Sequence, residues 1–257
     1  MSEKVIAFYD DFSSRAGEDT RAFSSRSNGL EFHYTQKAMG EYITGESRVL
    51  ELGCGTGYYG MYFADKCREY VGIDLYQPHI DIFNVKIRES GLTNVSCRQG
   101  SAMELEAIAD NSFDVVCCFG PMYHLPQGDR DVVFAKCARI CKPGGIAAFA
   151  YINKVGAYVG ACILSEQYYP NADANDAVLK RGTDDLKPDV FYYTMPEEME
   201  EAARKHSLMK IRNMGTDFFI TMGVVDSMDD AKFDIYMELA DEMVRHESCT
   251  GMSNHAL

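Results

Sequence analysis

The chain is poor in basic clusters. Its 257 residues carry 25 Lys and Arg against 39 Asp and Glu, a formal net charge of −14. Affinity for a phosphate backbone comes largely from gathered Lys and Arg that displace counterions. Nucleic acid is therefore not the expected partner, while acidic small molecules stay open because local fields outweigh net charge. Long apolar runs are missing too. Nothing approaches the ~20 apolar residues that cross a bilayer, and Met1-Ser2-Glu3-Lys4 lacks the apolar stretch of a secretion signal. A soluble, cytoplasmic protein is expected, with no membrane partner. Cysteines occur at 54, 67, 97, 117, 118, 137, 141, 162 and 249. No Cys-x-x-Cys pair is matched by a second at zinc spacing. Buried reduced thiols are expected and no metal, although Cys137 and Cys141 share a helix face and keep metal or redox chemistry as the alternative. Repeats and low-complexity tracts are also absent. What remains is room for one sizeable α/β domain and an elaboration on it.

The stretch that organises the rest is Val49-Leu50-Glu51-Leu52-Gly53-Cys54-Gly55-Thr56-Gly57. It reads as a buried strand running into glycines. Glycines at alternate positions let the chain turn sharply and let backbone N–H groups approach a ligand. Tyr58 to Lys66 has a helical pattern, so the turn lies at a helix N-terminus, where polar or anionic groups are welcome. Glu51 before the glycines disfavours a dinucleotide phosphate and favours a cation. A second apolar strand, Tyr70-Val71-Gly72-Ile73-Asp74, ends in an acid suited to ribose hydroxyls. Strands at Val95 to Arg98, Phe113 to Gly120 and Ile146 to Tyr151 follow. The helix expected over 77–90 starts with Pro78 in its first turn and ends at Gly91. Such alternation predicts parallel βαβ units with ligand contacts at the carboxyl ends of the strands.

The Glu-x-Gly-x-Gly-x-Gly turn, Asp74, and the run Ile140-Cys141-Lys142-Pro143-Gly144-Gly145 together resemble class I S-adenosylmethionine-dependent methyltransferases. The likeness covers roughly residues 45 to 151. It implies a Rossmann-like, doubly wound seven-stranded sheet, mostly parallel with the last strand antiparallel. It also implies S-adenosylmethionine as cofactor and S-adenosylhomocysteine as product. Glu51, Gly53, Cys54, Gly55 and Gly57 would attend the methionine end. Asp74 would hold the ribose and Leu75 would lie against the adenine. Ser101 and Ala102 stand where the family often has Asp-Ala, so Ser101 offers only a neutral bond to the adenine amine, and Met103 would stack instead. The fourth strand ends Phe119-Gly120-Pro121-Met122-Tyr123-His124-Leu125. It resembles the Gly-Pro-Leu-Tyr-His-Leu segment of small-molecule methyltransferases. That adds Phe119 to the cofactor residues and makes Tyr123 and His124 the catalytic candidates. His124 is either a general base or a packing residue bonded to backbone. Tyr123 either lines the transfer channel or packs in the core. His33, Tyr34 and Tyr9 are weaker candidates.

Residues 1–44 form an N-terminal arm, in which Ser13 to Asn28 looks loop-like and a helix runs from Glu31 to about Thr44. The arm resembles that of bacterial methyltransferases opening with a Tyr-Asp pair, here Tyr9-Asp10, and carrying Glu-Phe-x-x-Thr, here Glu31 to Thr35. It is either a lid over the cofactor or a helix packed on the sheet. Residues 45–257 make the catalytic domain, with a cap inserted over about 152–195 that carries Tyr158, Tyr168, Tyr169, Phe191, Tyr192 and Tyr193. Thr194 is the expected cap of a helix running from Pro196 to near His206. Lys210 to Met214 is the expected sixth strand, and 229–245 a last helix. The seventh strand lies either in Phe218 to Val224 or near His255, cut short.

The expected activity is methyl transfer to O or N of a small-molecule acceptor, by a monomer or homodimer. A nucleotide-dependent oxidoreductase would need Gly-x-Gly-x-x-Gly, and Tyr58 breaks that register. A non-catalytic cofactor-binding protein and a protein or RNA methyltransferase are the other readings.

Overall fold

The computed structural model describes residues 2–15, 17–159, 173, 176–183, 190–218 and 222–257. Tyr168, Tyr169 and Cys162 lie outside the described residues, as does part of the expected cap.

Five parallel strands form the centre: β1 (Arg48–Leu52), β2 (Glu69–Asp74), β3 (Val95–Gln99), β4 (Phe113–Cys118) and β5 (Cys141–Phe149). Their order is β3-β2-β1-β4-β5. The order reverses between β1 and β4, which is where ligands bind in open α/β sheets. The central strands β1 and β4 are short apolar runs buried on both faces, as parallel sheets require. Val49, Leu50 and Leu52 are wholly buried, as are Val116 and Cys118. Helix α4 (Tyr58–Phe63) and helix α5 (Gln77–Ser90) supply crossovers, and Gln127–Ile140 makes the helix before β5. The helix over 77–90 has the expected bounds and ends on Gly91 in the left-handed region, φ 68°.

The arm is more helical than its composition suggests. Helix α1 spans Ser2–Arg15, a single 3-10 turn covers Glu18–Thr20, and helices α2 (Arg21–Ser24) and α3 (Arg26–Met39) follow. The loop-like reading of 13–28 is thereby corrected. The polar side chains there are spent on partners far away in sequence. Ser27 bonds Asp226, Arg26 donates to the Met228 carbonyl, and Asp19 pairs with Lys86. The helix after the expected Thr194 cap spans Pro196–Lys205, with Met195 rather than Thr194 as its N-cap residue; Glu198 accepts from both the Met195 N–H and the Thr194 hydroxyl.

A separate two-stranded sheet follows β5 in the chain. Tyr151–Ile152 (β6) pairs antiparallel with His255–Ala256 (β7). On the other side of β7, Met214 and Leu257 exchange both backbone bonds at 2.9 Å, and Gly215 bridges to Ala256. An antiparallel strand thus starts near His255, one of the two expected places. Of the other, Phe218 to Val224, Phe218 makes an antiparallel bridge to Ser253, residues 219–221 are outside the described residues and Met222–Val225 is helical. The sixth strand expected at Lys210 to Met214 does not form. A groove of about 850 Å³ separates that segment from β5. A strand needs a ladder partner, and within 210–214 only Met214 has one, Leu257 beside β7; Met209 and Ile211 are left exposed. Among the described residues, no helix is long and apolar enough to cross a membrane.

Candidate functional site

Three local features make a cavity at the carboxyl ends of β1, β2 and β4. The first is the turn after β1. Gly53 sits at φ 77°, and a Cβ there would fall 2.7 Å from Pro121 Cδ and 2.8 Å from Gly120 Cα. Only glycine lets the β1 and β4 ends approach this closely. Gly57 is equally constrained, at φ 86° with Phe83 Cδ2 2.1 Å from any added Cβ. The second feature is Asp74. Its Oδ2 accepts the Gly55 N–H at 2.8 Å and its Oδ1 accepts the Tyr76 N–H at 2.8 Å. The carboxylate therefore ties the glycine turn to the start of α5, with lone pairs left for a ligand. The third is the turn at Pro121–His124. His124 Nδ1 bonds the Val190 carbonyl at 2.7 Å, and Tyr9 Oη lies 3.1 Å from His124 Nε2.

Of the residues expected from sequence, Gly53, Gly55, Asp74, Leu75, Ser101, Ala102, Met103, Tyr123 and His124 all line one cavity of about 170 Å³. Glu51, Cys54, Gly57 and Phe119 stand behind it. Glu51 is 1% exposed and accepts from Tyr70 Oη at 2.7 Å. Burial pushes its carboxyl up to about 8, against the Tyr70 bond, and Asp74 adds to the rise. Phe119 packs edge-on to Tyr59 at 5.1 Å. Ser101 Oγ accepts from the Met103 N–H, fixing the turn after β3. Burial lowers His124 to about 4 despite the Val190 bond and the nearby Asp74. Both of its nitrogens are engaged, so it is held as a neutral imidazole. The thiols of Cys54, Cys117 and Cys118 are buried and pushed far up by burial, which leaves them unreactive.

Sequence reasoning missed Val5, Ile6, Glu18, Tyr76, His79, Leu125 and Asp129, all of which also line the cavity. The arm supplies the first three, together with Tyr9. Tyr9 stacks on Tyr76 at 6.0 Å and meets His79 edge-on at 5.2 Å, while Tyr76 Oη donates to Asp10. Phe8 meets Phe191 at 5.1 Å, and Tyr192 N donates to the Tyr123 carbonyl. Arm and 190–193 segment thus close over the same turn. His79 is 4% exposed and its Nε2 has no hydrogen-bond partner.

A model of the methyltransferase domain matches residues 49–145. A ubiquinone biosynthesis O-methyltransferase of Stutzerimonas stutzeri is 31% identical over 54% of this chain; the match spans only 56% of that relative's length. One of Azoarcus sp. is 30% identical over 66% of the chain and 68% of the relative. The chain belongs to the class I S-adenosylmethionine-dependent methyltransferases. This methyltransferase shares its fold with a methyltransferase from Mesorhizobium loti, with a TM-score of 0.56 at 16% identity over 90% of this chain and 97% of that one. It shares it also with the PH0226 protein of Pyrococcus horikoshii, with a TM-score of 0.56 at 18% identity over 81% and 92%.

The cavity of the methyltransferase fits a nucleoside donor in its chemistry. It has an acid at the strand end, a glycine turn without Cβ atoms, and a buried imidazole nitrogen lacking a partner. Its volume is smaller than the ~300–1,000 Å³ of pockets that bury such ligands. With Val5, Ile6 and Tyr9 in the wall, the arm is the element whose shift would enlarge it.

Proposed function

We propose that the protein transfers a methyl group from S-adenosylmethionine to a hydroxyl of a small molecule. The observation that carries this reading is the Asp74 clamp on Gly55 and Tyr76, set at the sheet's reversal point beside a cavity that reaches Tyr123. The names of the curated relatives favour oxygen over nitrogen as acceptor atom. In this reading Asp74 takes the ribose hydroxyls, and Leu75, Ala102 and Met103 flank the adenine with Ser101 near its amine. Gly53 and Gly55 admit the methionine portion; Gly57 and Cys54 hold the turn in shape. Glu51 and Phe119 act from behind the wall, Glu51 through its bond with Tyr70 Oη.

The sulfonium is already activated, so the protein's work is to hold donor and acceptor in line and exclude water. The arm over 1–44 does the excluding as a lid, and the 190–193 segment of the cap completes it. Tyr123 lines the path to the acceptor. The antiparallel start at His255–Ala256, between β6 and Met214–Gly215, supports a seven-strand plan for the sheet. The net charge of −14 supports a small-molecule partner over nucleic acid, and a cytoplasmic monomer or homodimer fits the same reading.

The test is transfer of labelled methyl from S-adenosylmethionine into a cell extract separated into small-molecule, protein and RNA fractions, with Asp74→Ala as control. Label in the small-molecule fraction that vanishes in the control is expected. Label in protein or RNA would overturn the substrate class. Cofactor binding without transfer would favour a non-catalytic binding protein.

A further inference from the structure

Methylation of a hydroxyl releases a proton, and the cavity holds a carboxylate placed to take it. Glu18 opens the turn between α1 and α2 and lines the cavity with Gly53, Gly55 and Tyr123. Its Oε1 accepts from Arg21 Nε at 3.0 Å. Its Oε2 has no hydrogen-bond partner among the described residues. Arg21 is itself fixed twice. Its Nη1 donates to Glu31 Oε2 at 2.8 Å, and its guanidinium lies 4.6 Å over the Phe32 ring. Behind Glu31 stand His255 at 3.8 Å and, bonded to it at 2.6 Å, Asp217. One carboxylate oxygen is thus pinned by a cation that is pinned in turn, and the other is unpaired at the cavity wall. That is the arrangement of a positioned base. The other base in reach, His124, spends both nitrogens on Tyr9 and Val190. The cavity wall around Glu18 is aromatic, with Tyr9, Tyr76 and Tyr123.

Resting on the reading of this cavity as an O-methyltransferase site, we propose that Glu18 is the catalytic residue that accepts the proton of an aromatic hydroxyl. As the acceptor oxygen bonds to the methyl carbon, the carbon–sulfur electron pair stays on sulfur, leaving a neutral thioether. The hydroxyl proton passes to Glu18 Oε2. Burial raises the proton affinity of Glu18, and Arg21 partly offsets it. The other groups facing it are Glu31 from α3, His79 from α5, Tyr9 from α1, and Tyr123. Neighbouring Asp19 is turned away, to Thr56 and Lys86.

The test compares the wild type, Glu18→Gln and Glu18→Asp with S-adenosylmethionine and two probe acceptors, catechol and 4-nitrocatechol, over roughly pH 5 to 8. S-adenosylhomocysteine binding is measured for each by calorimetry. Glu18→Gln should lose about 10²-fold or more in turnover of catechol. It should stay within about threefold of wild type on 4-nitrocatechol at pH values where that hydroxyl is already ionised. Glu18→Asp, which keeps a carboxylate, should retain more turnover of catechol than Glu18→Gln. Affinity for S-adenosylhomocysteine should be unchanged in all three. Equal losses on both acceptors would overturn the proposal. Binding weakened about tenfold or more would also overturn it, and would make Glu18 a holder of the donor's amino-acid end. A wild type that binds S-adenosylhomocysteine yet methylates neither catechol removes the Glu18 assignment and leaves the methyltransferase reading in place. A wild type that does not bind it overturns both.

Discussion

Tyr9 Oη sits 3.1 Å from His124 Nε2, joining the first helix of the arm to the turn after β4. Through this pair the two ends of the cavity wall are one hydrogen-bonded unit. Since His124 Nδ1 donates to the Val190 carbonyl, Nε2 is the acceptor and Tyr9 the donor. Removing the phenol should loosen the arm without disturbing the sheet. Tyr9→Phe should weaken arm docking by about 0.5–1.5 kcal/mol. The readout is faster amide exchange over Ser2–Arg15, with dissociation of S-adenosylhomocysteine accelerated in parallel. Unchanged exchange would detach the arm from His124.

Asp74→Ala removes a carboxylate that orders two backbone amides as well as facing the cavity. Losing hydrogen bonds to a charged group costs ~1.5–3 kcal/mol. Affinity for S-adenosylhomocysteine should fall more than tenfold in calorimetry. An unaltered affinity would end the ribose role.

The glycines of the turn should separate by mutation. Gly57→Ala combines φ 86° with a Cβ 2.1 Å from Phe83, so it should cost at least ~2 kcal/mol in denaturant unfolding. Gly55→Ala meets nothing within 4 Å and bears only the backbone strain of φ 50°. It should be milder in stability and harsher in cofactor affinity, since Gly55 lines the cavity. Reversed rankings would mean that the turn repacks.

Stability should fall toward alkaline pH. His255 is raised to about 9: burial pulls it down, and Glu31 and Asp217 overcome that pull. Glu51 is raised to about 8 by burial. In both cases the folded state holds the proton more tightly than the unfolded chain. The stabilisation is complete below the ordinary value and is lost as pH rises through the folded one. The Glu51 contribution is lost between roughly pH 4.5 and 8 and the His255 contribution between roughly pH 6.5 and 9, so the melting midpoint should drop across that combined range. Glu51→Gln should flatten the slope between roughly pH 4.5 and 8, and His255→Asn the slope between roughly pH 6.5 and 9. An unflattened slope in both variants would place the titrating groups elsewhere.

What the sequence carried was local. The glycine turn, Asp74 and the 77–90 helix depend on φ angles, caps and spacing within a few residues, and these survive without knowledge of the fold. The polar arm was misread because its helices rest on partners such as Asp226 and Lys86, far along the chain. Lys210 to Met214 has a strand's composition, yet a strand is made by its neighbour, and the neighbour is across a groove. Glu18 gave no signal at all. Its place in the cavity follows from an arm folding back over the glycine turn, which no periodicity records.

The arm has a practical consequence. Val5, Ile6 and Tyr9 are wall residues of the site, so under the proposed lid role the amino end would be linked to ligand entry. An affinity tag fused ahead of the first helix adds bulk and charge to the element that carries these wall residues. Measured on- and off-rates would then report the tag along with the enzyme. Kinetic work on this protein is best done on material whose amino end has been freed by proteolytic tag removal.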